Sequence, residues 1–143
     1  VKVAFCRSRT LASWVVRVFS WSSWSHTAIL TDDGRVLEAV WPRVREITHD
    51  AFQADNTVVK IVELPCSDPA SAVAWARAQV GKRYDLLAVV GFAFHRTWTD
   101  TRQWFCSEFV AMAFGEGHTP LFRDAAIHRV TPQDLWELPG VDL

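Results

Sequence analysis

Two side chains have the type and setting for nucleophilic chemistry, a thiol and an imidazole. Cys106 stands in Trp104-Phe105-Cys106-Ser107-Glu108-Phe109-Val110, where a polar stretch gives way to an apolar run of helical character. A thiol in the first turn of a helix meets the positive end of the helix dipole and unpaired backbone N–H groups. Both favour a thiolate, and the same N–H groups can hold an oxyanion. Placement alone favours a small buried hydrophobe, since that is the commonest fate of a free cysteine. A nucleophilic thiol needs a base, and histidine is the usual one. His26, one of five histidines, follows a Ser/Trp stretch over 20–25 and opens an apolar strand, where an imidazole can face a cleft.

The strand His26-Thr27-Ala28-Ile29-Leu30 is followed by Asp32-Asp33-Gly34 and then by Arg35-Val36-Leu37-Glu38-Ala39-Val40. Asp-Asp-Gly suits a three-residue hairpin loop with glycine in the left-handed position. That loop sets Thr31 opposite Arg35, Ala28 opposite Glu38 and His26 opposite Val40. His26 and Glu38 then share a face, one diagonal step apart, within reach of a long side chain. A two- or four-residue loop would place them on opposite faces. Glu38 is therefore expected to orient the imidazole and fix its tautomer, the third role in a nucleophile–base–orienter set. A solvated strand carboxylate is the alternative. Glu46, His49 and Asn56 are weaker candidates for the same role.

Four segments occur in a telling order: Ser25-His26-Thr27-Ala28-Ile29, the strand of Glu38, Gly81-Lys82-Arg83-Tyr84-Asp85, and Phe105-Cys106-Ser107-Glu108-Phe109-Val110. Together they resemble the circularly permuted branch of the NlpC-type, papain-like cysteine hydrolases, the YiiX-like proteins. In ordinary members the Cys helix precedes the His strand, whereas here the His strand comes first. The resemblance covers about residues 20 to 135. It implies a papain-like α+β fold with the cysteine at a helix N-terminus, and a Cys–His dyad completed by a polar residue on the next strand. Carried over by position, Cys106 is the nucleophile, His26 the base and Glu38 the orienter. It also implies a tyrosine that helps hold the oxyanion. Tyr84, the only tyrosine, matches that motif position, and a packing role at a helix start fits it as well. The backbone N–H of Cys106 is the other oxyanion donor. Cys6 and Cys66 match no catalytic position of the family.

The elements that must position these residues can be read along the chain. A short strand is expected over Val1 to Cys6, and a helix from Leu11 to Phe19 after the N-cap Ser8. After the hairpin, a strand is expected over Val44 to Ile47, a capped helical turn over Thr48 to Gln53 and a strand over Val58 to Leu64. Asp68-Pro69 starts a helix that runs to about Val80 and ends at Gly81. Further helices are expected from Tyr84-Asp85 through about Gly91 and from Trp104 to Phe114, with a last helical turn at Thr131-Pro132-Gln133-Asp134. Strand, helix, antiparallel strands and then helices read as α+β, an antiparallel sheet packed against helices.

Length and composition bound the rest. A chain of 143 residues can bury about two-thirds of its unfolded surface, which supports one domain over 1–143. Fifteen Lys and Arg against 16 Asp and Glu leave a formal charge of −1, so nothing draws the chain to nucleic acid or to an anionic bilayer. The longest apolar run, Leu86 to Phe94, is too short to span a membrane. Three cysteines, none in a C-x-x-C pair, do not suggest a zinc site, so no metal and no cofactor are expected. The first residues, Val1-Lys2-Val3-Ala4-Phe5, lack a signal-peptide pattern, which favours a cytoplasmic location. The unusual feature is eight Trp and nine Phe against a single Tyr. Trp21 and Trp24 flank His26, Trp41 follows the Glu38 strand, and Trp98 and Trp104 precede Cys106. These five are expected to wall a nearly uncharged groove, and Trp14, Trp75 and Trp136 to fill the core.

The expected function is therefore a cysteine hydrolase that cleaves an amide bond in a peptide or peptidoglycan stem peptide. Tyr84, Trp24, Trp21 and Trp104 would line its oxyanion and substrate site, and a monomer is expected. One alternative is an ester or lipid acyl hydrolase or acyltransferase, since the permuted branch also resembles lecithin:retinol acyltransferase-like proteins in topology. The other is an inactive module that holds a peptide in the same cleft.

Overall fold

A computed structural model describes residues 1–8, 23–84, 103–104, 106–123 and 130–138. In chain order the elements are β1 (Lys2–Ser8), β2 (His26–Leu30), β3 (Arg35–Val40), β4 (Arg43–Thr48), α1 (His49–Asp55), β5 (Asn56–Glu63), α2 (Pro69–Ala78), β6 (Arg83–Tyr84), β7 (Gln103–Trp104), α3 (Cys106–Glu116) and α4 (Pro132–Trp136). The strands form one sheet in the order β5-β1-β2-β3-β4-β6-β7. Every neighbouring pair is antiparallel except β6 and β7. The α+β class read from the sequence is the observed one.

The hairpin register is the one the loop chemistry predicts. Ile29 pairs with Leu37 and Leu30 with Val36. Thr31 N–H donates to Arg35 O at 2.9 Å, and Gly34 N–H to Thr31 O at 3.1 Å. Gly34 sits at φ +76°, which an L side chain adopts only at a cost. Continuing that register puts Ala28 opposite Glu38 and His26 opposite Val40.

Alternation along the strands divides the core in two. One face presents Val3, Phe5, Ile29, Leu37 and Ala39 to Phe109, Val110, Ala113 and Phe114 of α3. The opposite face presents Ala4, Cys6, Ala28 and Val36 to Phe52 of α1. Helix α3 is buried over nearly its whole length, which matches its lack of a polar side. Helix α2 has Asp68 as N-cap, accepting from the Ser71 N–H, and Pro69 in its first turn. Helix α1 is capped by Thr48, and α4 has a capping box of Thr131 and Asp134.

Two expected helix starts are corrected. Tyr84 and Trp104 do not open helices; they pair with each other in the short parallel ladder of β6 and β7. Segments of two residues carry no periodicity, so the sequence pattern cannot reveal them. The expected helix over Leu11 to Phe19 and the remainder of the one begun at Tyr84 lie outside the described residues.

Helices α2 and α3 meet through Gly117. A Cβ there would stand 2.5 Å from Cys66 Sγ, 2.9 Å from Asp68 O and 3.0 Å from Ala72 Cβ. Gly117→Ala is expected to destabilise the fold by about 1–3 kcal/mol through overpacking. Gly34→Ala meets no neighbour and should cost about 1–2 kcal/mol from backbone strain alone. Urea denaturation of both variants checks the two figures.

Candidate active site

His26 is the first residue of β2, and what precedes it fixes its place. Ser25 N–H donates to Cys6 O at 3.1 Å, and Ser25 Oγ donates to the same oxygen at 3.3 Å. Trp24 packs against Phe5 and Trp136, with ring centroids 6.1 and 4.8 Å away. The strand start is thus clamped by a buried aromatic on one side and by β1 on the other.

His26 and Glu38 are both buried, at 7% and 1% exposure. His26 Nε2 lies 2.5 Å from Glu38 Oε2. The Cys106 side chain lies within interacting reach of the imidazole. Three residues from β2, β3 and the first turn of α3 therefore converge. Burial alone would lower the His26 pKa, but the Cys106 sulfur and the Glu38 carboxylate outweigh it and push it up to about 10. Burial alone would raise the Glu38 pKa, and His26 and Arg45 reverse that, holding the carboxyl below its ordinary range. An imidazole held between a sulfur and a carboxylate can take a thiol proton and return it to a leaving group.

Arg45 is the residue that sequence reasoning missed. It pairs with Glu38 across β3 and β4, and its Nε donates to Glu38 Oε1 at 2.7 Å. Its Nη2 donates to Asp55 Oδ2 at 2.8 Å. Each oxygen of the buried carboxylate therefore has a cationic or protonated partner. The signal was Val40-Trp41-Pro42-Arg43: two strands joined through a Trp-Pro turn, which sets Glu38 opposite Arg45. Trp-Pro is not one of the favoured two-residue hairpin turns, so the pattern did not announce the register.

The other expected site residues separate. Trp24 is corrected from a groove wall to a core residue: it is 7% exposed within the aromatic cluster, because Phe5 and Trp136 close over it. Trp41 is 64% exposed. Tyr84 and Trp104 are backbone partners of each other, and Trp104 lies two residues before Cys106. Trp21, Trp14 and Trp98 lie outside the described residues. Trp75 and Trp136 pack against the core as expected. The weaker orienter candidates are engaged elsewhere: Glu46 with Arg77, His49 beside Gln53, and Asn56 donating to Phe52 O. Ser107 Oγ donates to Val130 O at 2.5 Å.

Cys6 is a further buried thiol beside the site. It pairs with His26 across β1 and β2, and its Sγ lies 3.7 Å from His26 O. Burial first, then the nearby Glu38 carboxylate and Cys106 sulfur, push its pKa up, so it stays a neutral thiol. Among the described residues, no group of three or more His, Cys, Asp or Glu could hold a metal ion. No helix among them is long and apolar enough to cross a membrane.

A His strand that precedes a Cys helix, on an antiparallel sheet packed against that helix, defines a papain-like fold of permuted order. The chain belongs to the permuted papain-like amidase enzymes of the YaeF/YiiX, C92 family, whose model matches residues 3–140. It is thus of the cysteine hydrolase class. It is similar in fold to a crystal structure from Escherichia coli O157:H7 described as the metalloprotein YiiX. The two share 19% identity over 97% of this chain and 92% of that one, with a TM-score of 0.71. No curated protein matches the sequence.

Removing Arg45 tests the geometry without a substrate. Arg45→Gln leaves a buried carboxylate oxygen short of a partner and should cost about 1–3 kcal/mol. Because Glu38 has a depressed pKa in the fold, its contribution is present above the unfolded glutamate pKa and is lost as pH falls through the folded one. The variant's deficit should therefore be largest near neutrality and shrink on acidification. Denaturant titrations of both proteins across acid pH measure it.

Proposed function

We propose that this protein cleaves an amide bond in a peptide or peptidoglycan stem peptide through an acyl-enzyme on Cys106. The observation that supports this most is the single buried imidazole in contact with both Cys106 and Glu38. In this reading His26 already holds the proton that came from the Cys106 thiol when Cys106 Sγ attacks the carbonyl carbon. The tetrahedral oxyanion forms beside the N-terminus of α3, where the Cys106 backbone N–H is available. Collapse breaks the C–N bond, and His26 hands its proton to the leaving amine. Water then attacks the thioester, losing a proton to His26, and the free thiol and carboxylic acid are released.

Glu38 does not touch the substrate in this scheme. It holds His26 in the tautomer and rotamer that face Cys106, and Arg45 holds Glu38. Tyr84 is assigned as a second oxyanion donor from its motif position; its strand pairs with the β7 strand that leads into Cys106.

Incubation with labelled stem peptides, followed by intact-mass measurement, is the test. The wild type should acquire a peptidyl adduct and turn substrate over, and Cys106→Ala should do neither. His26→Ala should lose roughly 10²–10⁴-fold in rate. Glu38→Gln should lose rate while still binding substrate. Unchanged turnover in Cys106→Ala would refute the scheme. A fatty acyl adduct in place of a peptidyl one would move the substrate to lipid esters, and no adduct from either would point to a binding module.

A further inference from the structure

The end of the sheet that carries His26 also gathers arginines that are remote from it in sequence. Arg43 pairs with Val40 on one side and with Arg83 on the other, and Arg83 pairs in turn with Gln103. Arg43 lies two residues before Arg45, whose guanidinium bonds Glu38, so Arg43 leaves the sheet on the His26 and Glu38 face. Arg83, its direct antiparallel partner, leaves on the same face.

Like charges directly opposed across two strands are unfavourable, and a protein ordinarily pairs them with acids. The neighbouring arginines follow that rule. Arg35 and Arg77 reach Glu46, Arg77 also reaches Asp33, and Arg45 reaches Glu38 and Asp55. Arg43 and Arg83 do not. Arg43 Nη1 donates to the neutral Gly81 carbonyl at 2.7 Å, and among the described residues neither guanidinium has a carboxylate partner. Both side chains are exposed. Trp41, 64% exposed, stands in the turn just before Arg43.

Strand spacing and chain length bound the separation of the pair from the thiol. Arg83 is one strand spacing, about 4.8 Å, from Gln103. The chain from Gln103 to Cys106 is three residues, about 11 Å at full stretch. Together these keep the Arg83 and Cys106 backbones within about 16 Å, a span that an extended substrate of about five residues covers.

We propose that Arg43 and Arg83 form an anion subsite of the substrate cleft, so that the substrate carries a carboxylate or phosphate a short distance from the bond attacked. The proposal builds on the acyl-enzyme reading of Cys106 for the location of that bond. Two guanidiniums offer forked donors that suit either anion, whose charge then offsets the repulsion between them. Lys and Arg are scarce around His26 in sequence, and the sheet brings these two to the same end of the fold.

Equilibrium binding to the Cys106→Ala protein separates this from turnover. The ligands are a stem-type peptide ending in a carboxylate against the same peptide as a carboxamide, and an acylglycerol phosphate against the uncharged acylglycerol. At least one charged ligand should bind roughly 10-fold or more tightly than its neutral twin, with the difference shrinking as salt rises. Which pair shows the difference identifies the anion as carboxylate or phosphate. Arg43→Gln with Arg83→Gln should bring the ratio close to one, and Arg43→Lys with Arg83→Lys should retain part of it. Equal binding of charged and neutral ligands, or a preference that survives the double glutamine variant, overturns the subsite. Failure of the acyl-enzyme reading appears separately, as absence of an adduct on wild-type Cys106.

Discussion

The structure turns on a buried contact between an imidazole and a carboxylate inside a β-sheet. Taking a charged pair out of water costs several kcal/mol per ion unless the geometry is good and the remaining lone pairs are satisfied. Here Glu38 Oε2 meets His26, Oε1 meets Arg45, and Arg45 continues to Asp55 at the half-exposed rim. The charge is thus passed outward in steps from the interior to water. Each partner sits on a different strand or helix, so the contact exists only if β2, β3 and β4 are all in register. A slip of one residue in the hairpin would send Glu38 to the opposite face and leave it among Phe109 and Phe114.

The rest of the fold serves to bring sulfur to that imidazole. Helix α3 is buried along most of its length against β2 and β3, which places its first residue, Cys106, at the sheet end where His26 begins. Short strands β6 and β7 steer the chain into that helix start, and the Phe5, Trp24 and Trp136 cluster holds the opposite approach to β2. The unused thiol of Cys6 lies beside the same contact but stays neutral, because burial, the Glu38 carboxylate and the Cys106 sulfur all oppose its ionisation.

What could be read from the sequence followed from local chemistry. Asp32-Asp33-Gly34 fixes loop length and handedness, and loop length fixes the register of His26 and Glu38 across the hairpin. Asp68-Pro69 and Thr131-Pro132 announce their helices through capping. What could not be read depended on neighbours far along the chain. Arg45 and the Arg43 and Arg83 pair arise from the joining of β3 to β4 and of β4 to β6, and β6 is too short to show a pattern. The tryptophans illustrate the same point: nearness to His26 in sequence suggested a groove lining for Trp24, yet packing against Phe5 and Trp136 takes it into the core, while Trp41 stays exposed.

The central claim is that His26 is held protonated between Cys106 and Glu38. A pH titration of the His26 ring resonances by nuclear magnetic resonance tests it most directly. The account predicts an imidazolium that persists through neutrality and titrates near a pKa of about 10. Titration near the ordinary histidine value of about 6.5 would contradict it.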